Sequence, residues 1–437
     1  MRSNAIIIIV VLFNFTFSQN ANLKEKSISA IKIEEAPEID GKVIGDPVWE
    51  KIKPITGFTQ QTPDEGKSSK EKTFVRLAFD KDNLYLSAIC FTNQPENIII
   101  NDTRRDSPLD DMDSFIFILD TFNDNQNGYA FGTNAAGIEY DAQITKGGEN
   151  ISRIGRFSSG AGGAFNINWD GSWTVKTQIN DMGWSSEFKI PFKTLRYKSK
   201  RMQEWGINFQ RVNASIQEVS HWSLINRQFT VNRLISAGTL NNISPPISQN
   251  IKFIPYYLAQ RNSFSDDDLK RNDLNSDGGF DGKISIGSGL NLDLTYNTDF
   301  AQAEADEQQI NLDRFSLFFP EKRAFFLENA GLFSVGDNSF GGSEVSMFFS
   351  RRIGLSDDGS VVPIIGGSRI SGKIGQTNIG FLNMHTDENE SLGINKNSFT
   401  VARVNHDFPK TRSSIGGIYI DKSNTDLKKI ILIEYLR

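Results

Sequence analysis

Short apolar segments separated by turn residues make up most of the chain from about residue 27 to residue 238. Clusters of Asp, Asn and Gly lie between these segments, and helical periodicity is almost absent. Apolar runs bounded by turn residues are typical of β-strands, and many short strands at this spacing predict a β-sandwich. The segments that show the pattern are residues 73–79, 84–91, 113–120, 173–179, 184–190 and 205–212.

The pattern changes after about residue 251, where apolar and polar residues alternate. Leu292, for example, lies between Asn291 and Asp293. Period-two alternation places one face of a strand in an apolar medium and the other face in a polar one. The same pattern recurs in residues 283–287, 370–375, 377–385, 398–405 and 414–422.

Two structures explain this alternation: a soluble sheet with one packed face, or an outer-membrane barrel with lipid outside and water inside. The polar positions are small or charged, no covering helices are predicted, and the chain opens with an export signal. We therefore predict an all-β fold, in which a β-sandwich is followed by an antiparallel, outer-membrane β-barrel.

The export signal is an apolar run from residue 5 to residue 13. It follows Arg2 and precedes small and polar residues at positions 18–20. A short basic start, an apolar stretch of this length and a polar exit are typical of a secretory signal peptide rather than of a membrane span. We predict that residues 1–19 are the signal peptide and that the rest of the chain is exported.

Composition excludes several classes of protein. The 437 residues have a mean hydropathy of −0.36, which excludes a bundle of transmembrane helices, although not a barrel, whose strands need only about 10 residues each. The formal charge is −6 and no clustered Lys/Arg face is visible, so we expect no nucleic acid as partner. The single cysteine, Cys90, excludes an intramolecular disulfide framework.

Several motifs in the second half resemble a known family. Residues 297–306 (NTDFAQAEAD) and 311–328 (NLDRFSLFFPEKRAFFLE) are similar to the start of an uncharacterised family of bacterial outer-membrane barrels. Residues 349–354 (FSRRIG) and 363–373 (PIIGGSRISGK) extend the resemblance. The charges of the second motif, which include Glu321 and Arg323, predict an ion-pair network inside the barrel or its plug.

In that family, a module that resembles carbohydrate-binding family 9 precedes the barrel. The first half of this chain is similar to that module. Residues 39–41 (IDG) and 46–49 (DPVW) resemble its opening, and Trp184 with Glu187 resembles its closing strands. The resemblance implies a sandwich at residues 27–240 and a barrel of unknown function at residues 249–437.

The resemblance also implies a function. We expect binding of a polysaccharide or another glycan at the bacterial cell envelope, in the setting of carbohydrate catabolism and hydrolysis of O-glycosyl compounds. No catalytic residue is identified, so an activity as a glycoside hydrolase rests on family association alone. Members of the barrel family have a longer barrel, and we therefore expect either a truncated chain or an incomplete sheet.

Candidate residues for sugar binding come from the tryptophans, all six of which precede residue 223. An aromatic ring stacks on the apolar face of a pyranose, while carboxylates, amides and Arg orient the hydroxyls. The candidates are Trp222, Trp169 and Trp173, with Arg211 and Asp113 as hydroxyl partners. The alternative is that all six tryptophans are core or rim residues.

An acidic stretch suggests a metal site. Asp110, Asp111 and Asp113 could offer hard oxygen ligands to Ca²⁺, which is the one cofactor we consider. The alternative is an exposed loop that leads into the strand beginning at residue 114.

Two other functions remain open at this point. In the first, the barrel is a channel or transporter and the sandwich is a gate or an assembly contact. In the second, the chain is a structural envelope protein whose sandwich has lost its ligand. In each case we expect outer-membrane lipid as a partner, with the sandwich periplasmic or exposed at the cell surface.

Overall fold

The structure is a computed structural model. It describes residues 26–148, 165–198, 200–246, 251–266, 269–286, 289–297, 321, 323–327, 329–333, 347–356, 362–389, 393–408, 413–424 and 428–436. The predicted signal peptide and residues 298–320 of the family motifs lie outside the described residues.

The first part of the described chain contains strands β1 to β14 and one short α-helix, α1 (Pro47–Glu50). The strands are β1 (Ser27–Ser29), β2 (Ile31–Lys32), β3 (Thr59–Thr62), β4 (Thr73–Phe79), β5 (Asn83–Phe91), β6 (Ser114–Asp120), β7 (Gly128–Asn134), β8 (Tyr140–Ile144), β9 (Phe165–Asn166), β10 (Thr174–Asn180), β11 (Gly183–Pro191), β12 (Gln203–Asn213), β13 (Glu218–His221) and β14 (Gly238–Ile243).

These strands form two sheets. The first sheet has the order β1-β14-β12-β6-β7-β8-β9, with β13 beside β12 and β3 beside β13. The second sheet has the order β10-β11-β5-β4-β2. The pairs β1–β14 and β2–β4 are parallel, whereas the central pairs are antiparallel. The predicted β-sandwich is confirmed.

Aromatic rings fill the space between the two sheets. Phe117 of β6 meets Phe188 of β11 edge to face, with ring centroids 5.2 Å apart, and stacks on Phe131 of β7 at 5.5 Å. The neighbours Ile116 and Ile118 point to the other side of β6, where loop residues such as Leu234 cover them. Because both faces of β6 are buried, its sequence is continuously apolar rather than alternating.

The outer face of the second sheet is covered by the segment from residue 39 to residue 52, which is held by one buried carboxylate. Glu187 of β11 accepts hydrogen bonds from Trp49 Nε1 at 2.6 Å, from Gly41 N at 2.7 Å and from Asp40 N at 3.1 Å. Burial raises the pKa of Glu187, although these donors favour its charged form. One side chain of β11 therefore fixes both a turn and α1.

The local sequence of this segment favours the helix and the turn that it forms. Asp46 caps α1, since its Oδ1 accepts hydrogen bonds from Val48 N at 2.7 Å and Trp49 N at 3.2 Å, and Pro47 occupies the first helical turn. Gly41 has a φ of +91°, and a Cβ there would lie 2.6 Å from the backbone of Thr177. Only glycine fits this turn.

We expect Glu187→Ala to lower the free energy of unfolding of the sandwich by about 3–5 kcal/mol, because it leaves three donors, at least two of them buried, without an acceptor. Urea unfolding followed by tryptophan fluorescence measures this, since all six tryptophans lie in the sandwich. The control Glu204→Ala, at an exposed position of β12, should change the free energy by less than about 0.5 kcal/mol. Equal effects of the two variants would contradict the role given to Glu187.

The second part of the described chain contains one antiparallel sheet, whose eight strands are neighbours in chain order. They are β15 (Ile251–Asp266), β16 (Leu269–Ile286), β17 (Leu290–Tyr296), β18 (Ile364–Ile374), β19 (Thr377–Thr386), β20 (Asn397–Phe408), β21 (Ser413–Asn424) and β22 (Lys428–Leu436). A second short helix, α2 (Ala324–Leu327), precedes β18. The all-β fold and the antiparallel arrangement of this part are confirmed, whereas the closed barrel stays a prediction.

One face of this sheet exposes large apolar side chains. Phe253 is 63% exposed, Tyr296 54% and Val404 51%. Rings on neighbouring strands form a row across this face, with Phe280 5.3 Å from Phe253 and 5.9 Å from Tyr296 between centroids. The apolar face therefore contacts no other described part of the chain over much of its area.

The opposite face is polar near β17 and β18 and is covered by residues 321, 323–327, 329–333 and 347–354. Arg369 of β18 forms a buried ion pair with Asp293 of β17 at 2.7 Å, and its guanidinium lies 5.2 Å from the ring centroid of Phe325 in α2. Arg323 pairs with Glu321 at 2.7 Å. The Glu321–Arg323 pair lies within the charged motif for which ion pairing was expected, whereas the Asp293–Arg369 pair lies outside that motif. Within the described part of the chain, each helix is too short or too polar to cross a bilayer.

Candidate functional site

The three tryptophans predicted to bind sugar lie between the two sheets of the sandwich. Trp222 is 4% exposed, and Trp169 and Trp173 are each 7% exposed. Trp222 packs on Phe209 at 5.6 Å between ring centroids, and Trp173 stacks on Phe188 at 5.9 Å. Since a sugar must reach a ring face from solvent, stacking on these rings would require them to be uncovered. Their role in sugar binding stays a prediction.

The predicted hydroxyl partners are also buried, and both hold the frame of the sandwich. Arg211 of β12 donates hydrogen bonds to the carbonyl oxygens of Lys72 at 2.9 Å and Phe91 at 2.6 Å, which ties the first sheet to the second. Asp113 accepts a hydrogen bond from Ile99 N at 2.9 Å, and burial raises its pKa. The assignment of Arg211 and Asp113 to sugar hydroxyls stays a prediction.

The acidic stretch does not bring its carboxylates together. Asp110 and Asp111 are exposed, whereas Asp113 is buried. Among the described residues, no group of three or more His, Cys, Asp or Glu side chains is placed to hold a metal ion. Calcium requires six to eight oxygen ligands, and a Ca²⁺ site at these three residues stays a prediction.

A different cluster organises the loops at this end of the sandwich. The Arg105 guanidinium contacts the carboxylates of Glu139 at 2.6 Å, Asp141 at 2.5 Å and Asp170 at 2.7 Å. Asp141 also accepts a hydrogen bond from Gly171 N at 2.7 Å. Burial raises the pKa of Asp141 to about 7, although Arg105 and Gly171 favour its charged form.

A small cleft, open to solvent, lies where the sandwich meets the eight-stranded sheet. Residues from both parts line it. The sandwich contributes Phe122, Asn127, Gly128, Tyr129, Gln143 and Arg196. The sheet and its covering segment contribute Gly289, Asn291, Asn329, Leu332, Gly372, Lys373 and Asn378. Carboxamides supply five of these side chains, so the lining offers both hydrogen-bond donors and acceptors.

Two direct links close the cleft. Gln143 of β8 and Asn329 form a reciprocal pair, because Gln143 Nε2 donates to Asn329 Oδ1 and Asn329 N donates to Gln143 Oε1, each at 3.1 Å. Asn329 Nδ2 also donates to Ser371 Oγ of β18 at 3.1 Å. At the other side of the cleft, Lys373 of β18 pairs with Asp124 of the sandwich at 2.9 Å and with Asp407 of β20 at 3.3 Å.

Comparison with protein families identifies the two parts. Residues 39–226 match the family described as "Carbohydrate family 9 binding domain-like", and residues 245–399 match the one described as "Domain of unknown function (DUF5916)". The chain therefore combines a family 9-like domain with a DUF5916 domain. The boundaries 27–240 and 249–437 stay predictions.

Comparison with solved structures gives two examples from Caldicellulosiruptor kristjanssonii. A carbohydrate binding module family 9 in complex with glucose is 16% identical and has a TM-score of 0.35, with 52% of this chain and 100% of that chain covered. A module of the same family in complex with cellotriose is 17% identical and has a TM-score of 0.34, with 49% of this chain and 93% of that chain covered. No curated protein matches the chain.

The cleft lies between the family 9-like domain and the DUF5916 domain, and no motif in the sequence predicts it. Asn127-Gly128 is a turn signal in the sequence, and Lys373 is the last residue of one of the family motifs. Neither feature predicts that the two segments contact each other, because a single sequence does not show which distant segments meet. Alternation in β17 did mark the polar face that bears Asn291.

The pKa of Asp141 leads to a prediction about pH. Because the pKa is about 7 in the folded domain and 3.8 without burial, the folded state holds this proton more tightly. The contribution of Asp141 to stability is therefore full below about pH 4 and is lost as the pH rises to about 7. We expect Asp141→Asn to reduce this decline of the free energy of unfolding by about 1–4 kcal/mol.

Urea unfolding at pH 4 to pH 7, followed by tryptophan fluorescence, measures the decline. Asp170→Asn is the matched control, since Asp170 contacts the same arginine but its side chain is 75% exposed. The control should keep the decline of the unsubstituted chain. If Asp141→Asn kept it as well, Asp141 would not be the titrating group.

Proposed function

We propose that the family 9-like domain binds carbohydrate, in the form of a polysaccharide or another glycan at the bacterial cell envelope. The observation that carries this proposal is the match of residues 39–226 to the carbohydrate family 9 binding domain-like family. The amide-rich cleft supports it, since carboxamides can orient sugar hydroxyls. The proposed setting is carbohydrate catabolism, with the domain retaining a glycan while O-glycosyl bonds are hydrolysed.

Binding is tested with the purified full-length chain on an array of neutral and acidic polysaccharides, with and without Ca²⁺. We expect saturable binding to at least one glycan and quenching or enhancement of tryptophan fluorescence by its soluble fragments. The Glu187→Ala variant, in which the sandwich is destabilised, should lose binding at the urea concentration that unfolds it. Absence of binding to every glycan would refute the proposal, and release of reducing sugar from a bound glycan would indicate hydrolysis.

We also propose that the chain is exported to the outer membrane, where the exposed face of the DUF5916 domain contacts lipid. The support is the distribution of side chains over the sheet. Rings and aliphatic side chains lie on the exposed face, whereas the buried Asp293–Arg369 pair lies on the covered face. Large exposed apolar surfaces of proteins mark interaction sites, and a transmembrane strand alternates apolar and polar residues in this way.

We expect Val404→Arg to lower the fraction of the chain that is recovered folded in the outer membrane. An arginine near the middle of the lipid face costs about 2–4 kcal/mol, whereas an exposed substitution in water changes stability by about 0.5 kcal/mol or less. Ile179→Arg is the matched control, since Ile179 is an aliphatic residue of β10 that is 47% exposed in the sandwich. Equal recovery of the two variants would contradict lipid contact at Val404.

A further inference from the structure

The sandwich docks against one end of the eight-stranded sheet. Lys373, the penultimate residue of β18, pairs with Asp124 of the sandwich at 2.9 Å. Gly289, directly before β17, and Asn378, at the start of β19, line the cleft that the sandwich shares with the sheet. β15 also begins at this end, beside the last residues of β16. We call this end of the sheet the near end and the opposite one the far end.

The two ends differ in the connections between neighbouring strands. Among the described strands, each near-end connection is at most four residues long, namely residues 287–289, 375–376 and 409–412. The far end carries the long connections, residues 297–363 and 387–396, besides the short ones at residues 267–268 and 425–427. The sandwich is therefore attached to the end of the sheet at which all the connections are short.

The hairpin of β15 and β16 extends the far end further. The outermost pair between β16 and β17 joins Phe280 to Tyr296, whereas β15 and β16 stay paired as far as Asp266 and Leu269. Residues 269–279 of β16 therefore run past the end of β17, over about 35 Å at the usual rise of a strand. This hairpin projects on the side of the sheet away from the sandwich.

Exposed apolar side chains show which height of the sheet suits lipid. On β18, Ile374 at the near end and Ile365 close to the far end are both exposed. Their separation along the strand is about 30 Å, which gives a height of about 23 Å for a strand tilted by about 40°. The apolar band of outer-membrane barrels is about 25 Å tall. The apolar band of this sheet thus begins at the near end, beside the sandwich, and the hairpin of β15 and β16 passes beyond it.

We infer that the chain spans the outer membrane with the near end and the sandwich in the periplasm, and with the far end and the β15–β16 hairpin outside the cell. This inference rests on the proposed outer-membrane location. In outer-membrane barrels the periplasmic turns are short and the extracellular loops are longer, which is the difference between the near end and the far end. The glycan proposed for the sandwich is then one that is present in the periplasm, rather than an intact polysaccharide outside the cell.

The orientation is tested by labelling single introduced cysteines in intact cells with a PEG-maleimide too large to cross the outer membrane. Lys81→Cys reports on the sandwich, since Lys81 is exposed between β4 and β5, and Lys396→Cys reports on the far end, where Lys396 is exposed. The unsubstituted chain is the blank, because its one cysteine, Cys90, is buried. We expect intact cells to label Lys396→Cys, whereas Lys81→Cys stays at the level of the blank. Both should be labelled equally once the outer membrane is permeabilised.

A second pair of variants guards against an introduced cysteine that reacts poorly or disturbs folding. Lys42→Cys, at an exposed position of the sandwich, and Glu388→Cys, at an exposed position of the far end, should repeat the two results. Labelling of either sandwich cysteine in intact cells, or failure to label both far-end cysteines there, refutes the orientation. Recovery of the unsubstituted chain outside the outer-membrane fraction refutes the outer-membrane location itself, and glycan binding by the purified chain is decided separately.

Discussion

The sandwich depends on covering the apolar side chains on the outer faces of its sheets. The buried carboxylate of Glu187 holds the cover over the second sheet. Both sheets carry apolar side chains on their outer faces as well as between them, so packing the sheets together leaves part of their apolar surface uncovered. Glu187 holds the turn at Gly41 and the indole of Trp49 over the outer face of the second sheet. Loop residues such as Leu109 and Leu234 cover the outer face of the first sheet in the same way.

The sheet of the DUF5916 domain distributes charged and apolar side chains differently from the sheets of the sandwich. Its sheet buries charges, such as the Asp293–Arg369 pair, on one face and leaves rings such as Phe253 exposed on the other. Burial of a charge is tolerated only where a partner compensates the lost hydration. The pairing of Arg369 with a carboxylate and with the ring of Phe325 supplies that compensation. The two domains therefore meet as a sandwich with an apolar core and a sheet whose covered face is polar near β17 and β18 and apolar near β19 and β20.

The cleft arises from this difference. Polar side chains at the end of the covered face meet polar side chains at the end of β8, where the core between the sandwich sheets runs out. Gln143 pairs with β7 through Tyr129 in the strand register and turns its amide toward Asn329. The cleft therefore combines hydrogen-bonding side chains with the apolar side chains of Phe122 and Leu332.

Strand positions and the two styles of alternation could be predicted from the sequence, because side-chain alternation is a local property of extended backbone. The direction of the tryptophan side chains could not be predicted from the local pattern. Trp169 and Trp173 flank Asp170-Gly171, which predicts a loop end, yet both rings fold back into the core against Phe131. A turn signal locates the backbone and does not specify the direction of the flanking side chains.

The sequence by itself determined the all-β class, the change of pattern near residue 251 and the resemblance of each part to its family. Only the tertiary structure decided that Arg211 ties the two sandwich sheets together and that Gln143 meets Asn329, 186 residues away. The physical reason is that hydrophobic alternation follows from the geometry of a single strand, whereas contacts between distant polar side chains follow from how whole domains pack. The described arrangement of the two domains, rather than any motif, therefore defines the cleft.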